Sequence, residues 1–154
     1  MSEIDIRLEG LAAPAWLDDC REFVDAALRE LGAGNWEVSI LFCTDPFIRD
    51  LNRRYRGLEA PTDVLSFSQQ PDAPSLRPGA PTATQVAGDI VISLDSLARN
   101  AEREGESKEA ELKRLLIHGM LHLQGLDHPE EGDSEMLRVQ ERLLERLREK
   151  RIEL

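Results

Sequence analysis

Apolar positions along the chain recur with a period near 3.6 in five long segments and with a period near two in shorter ones. In AWLDDCREFVDAALREL, residues Trp16, Leu17, Cys20, Phe23, Val24, Ala27, Leu28 and Leu31 fall on one helical stripe, with Pro14 ahead and Gly32 behind as start and stop signals. WEVSILF alternates Trp36, Val38, Ile40 and Phe42 on one side and predicts a strand. TDPFIRDLNRRYRG predicts a short helix with Thr44 or Asp45 as cap, Pro46 in its first turn and Gly57 at its end. TDVLSF (62–67) and GDIVIS (88–93) predict two more strands. Between them, 68–87 holds four of the eight prolines and almost no large apolar residue, which predicts a mobile surface loop.

Three helices complete the pattern. One runs from Leu94 to about Glu104 and ends at Gly105; the next starts at Ser107, a good N-cap, and runs to Gln124 with Gly125 as its stop. The last, DSEMLRVQERLLERLREK, is capped by Asp133 and buries Met136, Val139, Leu143 and Leu147; its Glu–Arg pairs three or four apart read as a solvated face. Strands and helices mix without a strict strand–helix–strand rhythm. The expectation is one α+β (mixed α/β) domain over residues 1–154, a small mixed sheet flanked by about five helices.

Composition narrows the class. With 41% hydrophobic and 32% charged residues, the chain reads as a globular protein with a sizeable core. It has no apolar run long enough for a bilayer, and MSEIDIRLEG lacks a signal-peptide pattern, so a cytoplasmic location without a membrane partner is expected. Cys20 and Cys43 form no CxxC pair and are expected as buried free thiols. The formal net charge of −11 argues against a general nucleic-acid binder, DNA included, but leaves room for a local basic site. Sixteen of the nineteen cations are Arg, which suits bidentate phosphate contacts; the base composition of the genome explains that bias equally well.

All three histidines of the chain lie within HGMLHLQGLDH, residues 118–128. His118 and His122 are four apart on a predicted helix, hence about 40° apart on one face. Gly125 breaks the helix three residues later, so the chain can turn and bring His128 back to the same point. The segment LLIHGMLHL is apolar nearly all round, so each imidazole there needs a polar partner. A metal ion answers that need. Three neutral imidazoles without a thiolate suit one zinc per chain with an open fourth position, although copper, nickel, cobalt and iron also fit such ligands. Asp127 can complete the shell or orient a ligand. The spacing matches the extended zinc-protease pattern HExxHxxGxxH, giving a zincin-like metal helix. Gly119 stands where such enzymes carry their general base, which weighs against a generic peptidase or amidase.

HGMLHLQGLDH closely resembles the H-G-x-L-H-L-x-G-[YHF]-D-H signature of the YbeY-type bacterial rRNA maturation factors, with Leu126 at the variable aromatic position. LNRRYRGLEAPTDVLSF resembles the same family's N-x-x-[YF]-R-x-x-x-x-P-T-D-V-L-S-F stretch, and GDIVIS follows in the family's order. Ser68 stands where the family often has proline. The resemblance runs roughly from Val38 to the last helix. It implies a small mixed sheet flanked by helices with a metal in a cleft. It further implies a single-strand-specific, metal-dependent endoribonuclease acting in 16S rRNA 3′-end maturation and ribosome quality control. The implied zinc ligands are His118, His122 and His128, the implied residue required for activity is Arg56, and the implied partners are precursor rRNA and the small ribosomal subunit or its assembly proteins.

The residues themselves fit phosphodiester cleavage. Zinc polarises a phosphoryl oxygen and activates water, and the transition state calls for a nearby cation. RDLNRRYRG is the most basic short stretch, with four arginines against Asp50. Arg56, beside the Gly57 turn, is assigned to phosphate contact. Arg53, Ser66 and Asp127 are candidate substrate contacts, although the helix-surface reading is preferred for Arg53 and Arg54, and an ordinary strand position for Ser66. The rival from another class is a ribosome-assembly factor that uses zinc only for structure. The acidic surface suits that rival, and the open metal position suits the enzyme.

Overall fold

The computed structural model describes residues 2–58, 62–68, 85–125 and 135–154. The expected α+β class is found: four strands and five helices among the described residues. The order is β1 (Glu3–Leu8), α1 (Leu17–Glu30), β2 (Trp36–Cys43), α2 (Asp45–Arg56), β3 (Val64–Ser68), β4 (Gln85–Ser93), α3 (Leu94–Glu104), α4 (Lys108–Leu123) and α5 (Glu135–Arg146).

Strand β1 is absent from the elements expected above. It pairs in parallel with β2, and β2 pairs in parallel with β4, so β1–α1–β2 is a strand–helix–strand unit after all. EIDIRL does alternate Ile4, Ile6 and Leu8, but the strand lies at the sheet edge and neither of its faces is fully buried, so the alternation is weakly marked. The sheet order is β1-β2-β4-β3, with β3 antiparallel to β4 at the other edge. Strand β3 starts at Val64 rather than Thr62, because Asp63 is used as a connector: its carbonyl accepts the Ser93 N–H at 3.0 Å and its carboxylate accepts from Asn100 Nδ2 at 3.0 Å. The expected loop lies largely at 69–84, outside the described residues, as does Asp133.

Alternation divides the sheet between two cores. Val38, Ile40 and Phe42 of β2 and Ile90 and Ile92 of β4 face α1, α4 and α5 in the larger one. Cys43, Val91 and Leu65 face Ile48 of α2 in the smaller one, with Phe47, Leu51 and Phe67 packed around it. Helix α4 sits at the centre, packed on α1, α3, α5, β3 and β4. Its N-cap is as expected: Ser107 Oγ accepts the Ala110 N–H at 3.0 Å. Helix α2 has Thr44 at its N-cap position without a side-chain bond. Asp45 instead accepts from Ser93 Oγ (2.6 Å) and Ser96 Oγ (2.7 Å) and pairs with Arg99 (2.6 Å), tying α2 to α3.

Candidate active site

From Glu111 to Leu123, helix α4 is buried on almost every side. Its half-buried positions are Arg114, His118 and His122, spaced i, i+4, i+8, so a single stripe of the helix reaches solvent. Every other side chain on that stretch is taken up by packing, which explains why the sequence looks apolar all round and yet carries two imidazoles. Their Nε2 atoms lie 3.0 Å apart and their ring centroids 4.4 Å apart, at an interplanar angle of 80°. Both rings therefore aim the same nitrogen at one point. A tetrahedral ion with Zn–N bonds of about 2.0–2.1 Å holds two ligand nitrogens roughly 3.3 Å apart, so the pair fits a shared ion with a small ring adjustment.

Gly119 shows why no carboxylate follows the first histidine. A Cβ on Gly119 would lie 2.9 Å from Ile90 Cγ2 and 3.0 Å from Ile90 Cδ1. That position is the contact between α4 and β4, and it leaves no room for a glutamate side chain unless Ile90 moves. Gly125 follows the C-cap Gln124 with φ 92°, the left-handed conformation expected of a helix stop that redirects the chain. His128 and Asp127, the expected third ligand and its neighbour, lie outside the described residues. Among the described residues no group of three potential ligands converges.

The two histidines open onto a cleft of about 450 Å³ that is also lined by Tyr55, Arg56, Val64, Leu65, Ser66 and Phe67. The fold thus brings Arg56 and Ser66 to the histidine pair from sequence positions more than fifty residues away. Strand β3 is an edge strand, so its residues can line a cleft that helix α4 floors on one side and the end of α2 closes on the other. Gly57, with φ 70°, stops α2 immediately after Arg56 and leaves that side chain at the mouth. Arg56 is exposed and makes no ion pair with a described residue.

Arg53 is placed on the helix surface, as the preferred reading has it, and not among the cleft residues. It pairs with Asp50 at 2.6 Å, beside Arg54, which pairs with the same carboxylate at 3.0 Å. Arg53 lines a separate surface hollow with Pro46, Arg49 and Asp50, not the histidine cleft. Arg56 lies three positions further along α2, in the last turn, where it and Tyr55 line the cleft beside β3. Of the four arginines in the basic stretch, the structure brings one to the cleft.

Tyr55 and Phe67 line the cleft and were not among the expected site residues. A signal was available. Tyr55 is the chain's single tyrosine, it stands in a run of arginines, and it is 65% exposed.

Comparison with known proteins gives the cleft its context. The profile of the family described as Endoribonuclease YbeY matches residues 5–148. The chain belongs to this family. Relatives named Endoribonuclease YbeY include one from Treponema pallidum, 43% identical over 145 residues, covering 94% of this chain and 89% of the relative. Another, from Treponema denticola, is 46% identical over 134 residues, covering 85% of this chain and 84% of the relative. The solution structure of TM1509 from Thermotoga maritima is similar, with a TM-score of 0.64 and 28% identity over 95% of this chain and 90% of that one. YbeY membership accounts for the three sequence blocks together: two of them meet at the cleft and the third, GDIVIS, forms the central strand β4 behind it.

Proposed function

We propose that this chain is an endoribonuclease that cuts single-stranded precursor ribosomal RNA, with zinc held by His118, His122 and His128. The observation that carries this reading is the joining of Arg56 to the paired Nε2 atoms of His118 and His122 in one cleft. Family membership supplies the reaction class.

When bound, zinc would polarise a phosphoryl oxygen and lower the pKa of a bound water to about 7. The chain's own residues do the rest. Arg56 offers a planar, permanently charged donor set to the non-bridging phosphate oxygens as charge grows on them. Among the described residues no carboxylate forms an ion pair with it. Ser66, at the middle of β3, lines the cleft, and its hydroxyl would donate to phosphate or accept from ribose. Asp127, next to His128 in sequence, is proposed to orient that imidazole. The acidic balance of the whole chain, −11, disfavours general phosphate contact, and Arg56 gives the cleft a cation. The implied partners remain the rRNA precursor and the small-subunit particle that carries it.

The test is metal content beside cleavage. The wild-type protein is expected to carry about one zinc per chain and to cut a single-stranded precursor-rRNA fragment. His118→Ala and His122→Ala are expected to lose zinc and cutting together while keeping the helical circular-dichroism signal. Cutting that persists in metal-free His118→Ala protein would refute the assignment.

A further inference from the structure

The histidine cleft is lined by Val64, Leu65, Ser66 and Phe67, consecutive residues of β3. Consecutive side chains of a strand point to opposite faces of the sheet. Here Val64 packs on the larger core, which faces α4, and Leu65 lies in the smaller one, which faces α2. The other lining residues divide in the same way. His118 and His122 come from α4, and Tyr55 and Arg56 from the end of α2. A cavity that touches both faces runs along the free edge of the strand. Strand β3 has such an edge, since β4 is its one neighbour among the described strands.

Register decides which backbone groups stand at that edge. Along an antiparallel pair, residues that exchange N–H···O bonds with the neighbour alternate with residues whose N–H and C=O turn away from it. The Ser93 N–H donates to the Asp63 carbonyl at 3.0 Å, and these two residues stand opposite each other in the register that pairs Val64 with Ile92. Asp63 and Leu65 therefore bond to β4, and Val64 and Ser66 turn their N–H and C=O outwards. Ser66 is half-buried and lines the cleft. Its outward amide and carbonyl lie on the edge between the histidine pair on one face and Arg56 on the other.

We infer that the outward backbone of Ser66 binds the sugar–phosphate chain of RNA, its N–H donating to a phosphate oxygen and its C=O accepting from a ribose 2′-hydroxyl. This rests on the proposed RNA cleavage. A backbone N–H beside Arg56 suits a phosphate oxygen. The carbonyl needs a hydrogen donor instead, and the 2′-hydroxyl is the one donor that a sugar–phosphate chain carries. That hydroxyl stands on the carbon next to the one bearing the 3′-phosphate. A donor and an acceptor that leave one residue in the same direction thus meet both groups together. DNA leaves the carbonyl without a partner, and an acceptor desolvated and left unpaired carries a penalty. The strand edge thereby selects RNA over DNA without reading sequence.

The experiment uses the zinc-loaded full chain. In the free protein, amide exchange followed by NMR is expected to be fast at Val64 and Ser66 and slow at Leu65, and inorganic phosphate is expected to shift the Ser66 amide resonance. Single-turnover cleavage of a single-stranded RNA over a range of protein concentrations then gives the half-saturating concentration apart from the limiting rate. A 2′-deoxy nucleotide placed at each position in turn is expected to raise half-saturation about 5-fold at one position, the size of one hydrogen bond, whatever it does to the limiting rate. Ser66→Ala lacks the side-chain hydroxyl and keeps the N–H; Ser66→Pro lacks both. Proline is tolerated on an edge strand where the N–H faces away from the neighbour. Ser66→Pro is expected to half-saturate at a concentration about 10-fold higher than Ser66→Ala, the size of a hydrogen bond to a charged group. Slow exchange at Ser66, or a Ser66 resonance indifferent to phosphate, overturns the inference even where Ser66→Pro does not fold. Equal half-saturation for the two variants, or a 2′-deoxy series without effect, overturns it too. In each case cutting by wild type leaves the cleavage reading standing. Zinc-loaded wild-type protein that neither binds nor cuts RNA overturns both.

Discussion

At the scale of single residues, the buried positions make firm demands. Gly119 is required by Ile90, against which α4 is packed too closely for a side chain. Gly119→Val is expected to destabilise the fold by about 3 kcal/mol, the upper end of overpacking penalties, and urea unfolding checks it. A change within 0.5 kcal/mol, the scatter of about that size seen at surface sites, would show that α4 does not rest on β4 there. The cysteines give a second residue-scale test. Burial pushes both Cys20 and Cys43 up to about 12, with the carboxylates of Asp45, Asp95 and Glu9 adding to the effect at Cys43. Neither should react with a disulfide reagent at pH 8 in the native protein, and both should react in urea, since the thiolate is the reactive form. The buried free thiols expected from sequence are found.

At the scale of elements, α4 depends on the end of the chain. Glu109 in its first turn accepts from Arg151 Nε at 2.9 Å and from the Ile152 N–H at 2.7 Å, while Lys113 lies 3.5 Å away. Ile152 is fully buried, so this carboxylate pins the C-terminal segment into the core. The Arg151 bond, with the Ile152 amide and Lys113, holds Glu109 at about 2, below its ordinary 4.5, against an opposing push from burial. A carboxyl depressed on folding adds stability above its unfolded pKa and loses it as pH falls towards the folded value. Stability should therefore fall between about pH 4.5 and 2, and Glu109→Gln should flatten that part of the profile. An unchanged slope in urea titrations at several pH values would contradict the pinning role.

Elements also show what was legible in the sequence. Helices α3 and α4 are found within a residue of their expected ends because Ser107, Gly105 and Gly125 act locally, through caps and left-handed turns. Strand β4 begins at Gln85, three residues before GDIVIS, because its pairing with β2 continues to Trp36. Such pairing is a tertiary effect that no local pattern in QVA announces. Helix α5 ends at Arg146, four residues short of its periodic pattern, and Leu147 enters the core from the turn that follows.

At the scale of the whole molecule, the histidine spacing announced two imidazoles on one helix face, and the fold sets their Nε2 atoms 3.0 Å apart. The choice among the arginines was not legible. Arg53 and Arg56 have the same charge in the same helix, and their fates are separated by tertiary placement: Arg53 is held by Asp50 over another hollow, and Arg56 stands at the helix end beside β3. Tyr55 and Phe67 likewise become neighbours only when β3 pairs with β4 beside α2.

The contrast between those two arginines gives the sharpest measurement of the central claim, that the cleft joining Arg56 to the histidine pair is where RNA is cut. Single-turnover cleavage of a single-stranded precursor-rRNA fragment should be compared for wild type, Arg56→Ala and Arg53→Ala, with zinc content and melting temperature followed in parallel. Arg56→Ala should slow cleavage roughly 100- to 1000-fold, as loss of one preorganised charge-stabilising donor does, with zinc and stability retained. Arg56→Lys should recover part of the rate, because a point charge does not reproduce the bidentate fork. Arg53→Ala, which removes only an exposed pair with Asp50, should stay within about threefold of wild type. Full cleavage by folded, zinc-loaded Arg56→Ala protein, or equal losses for the two variants, would contradict this placement of the active site.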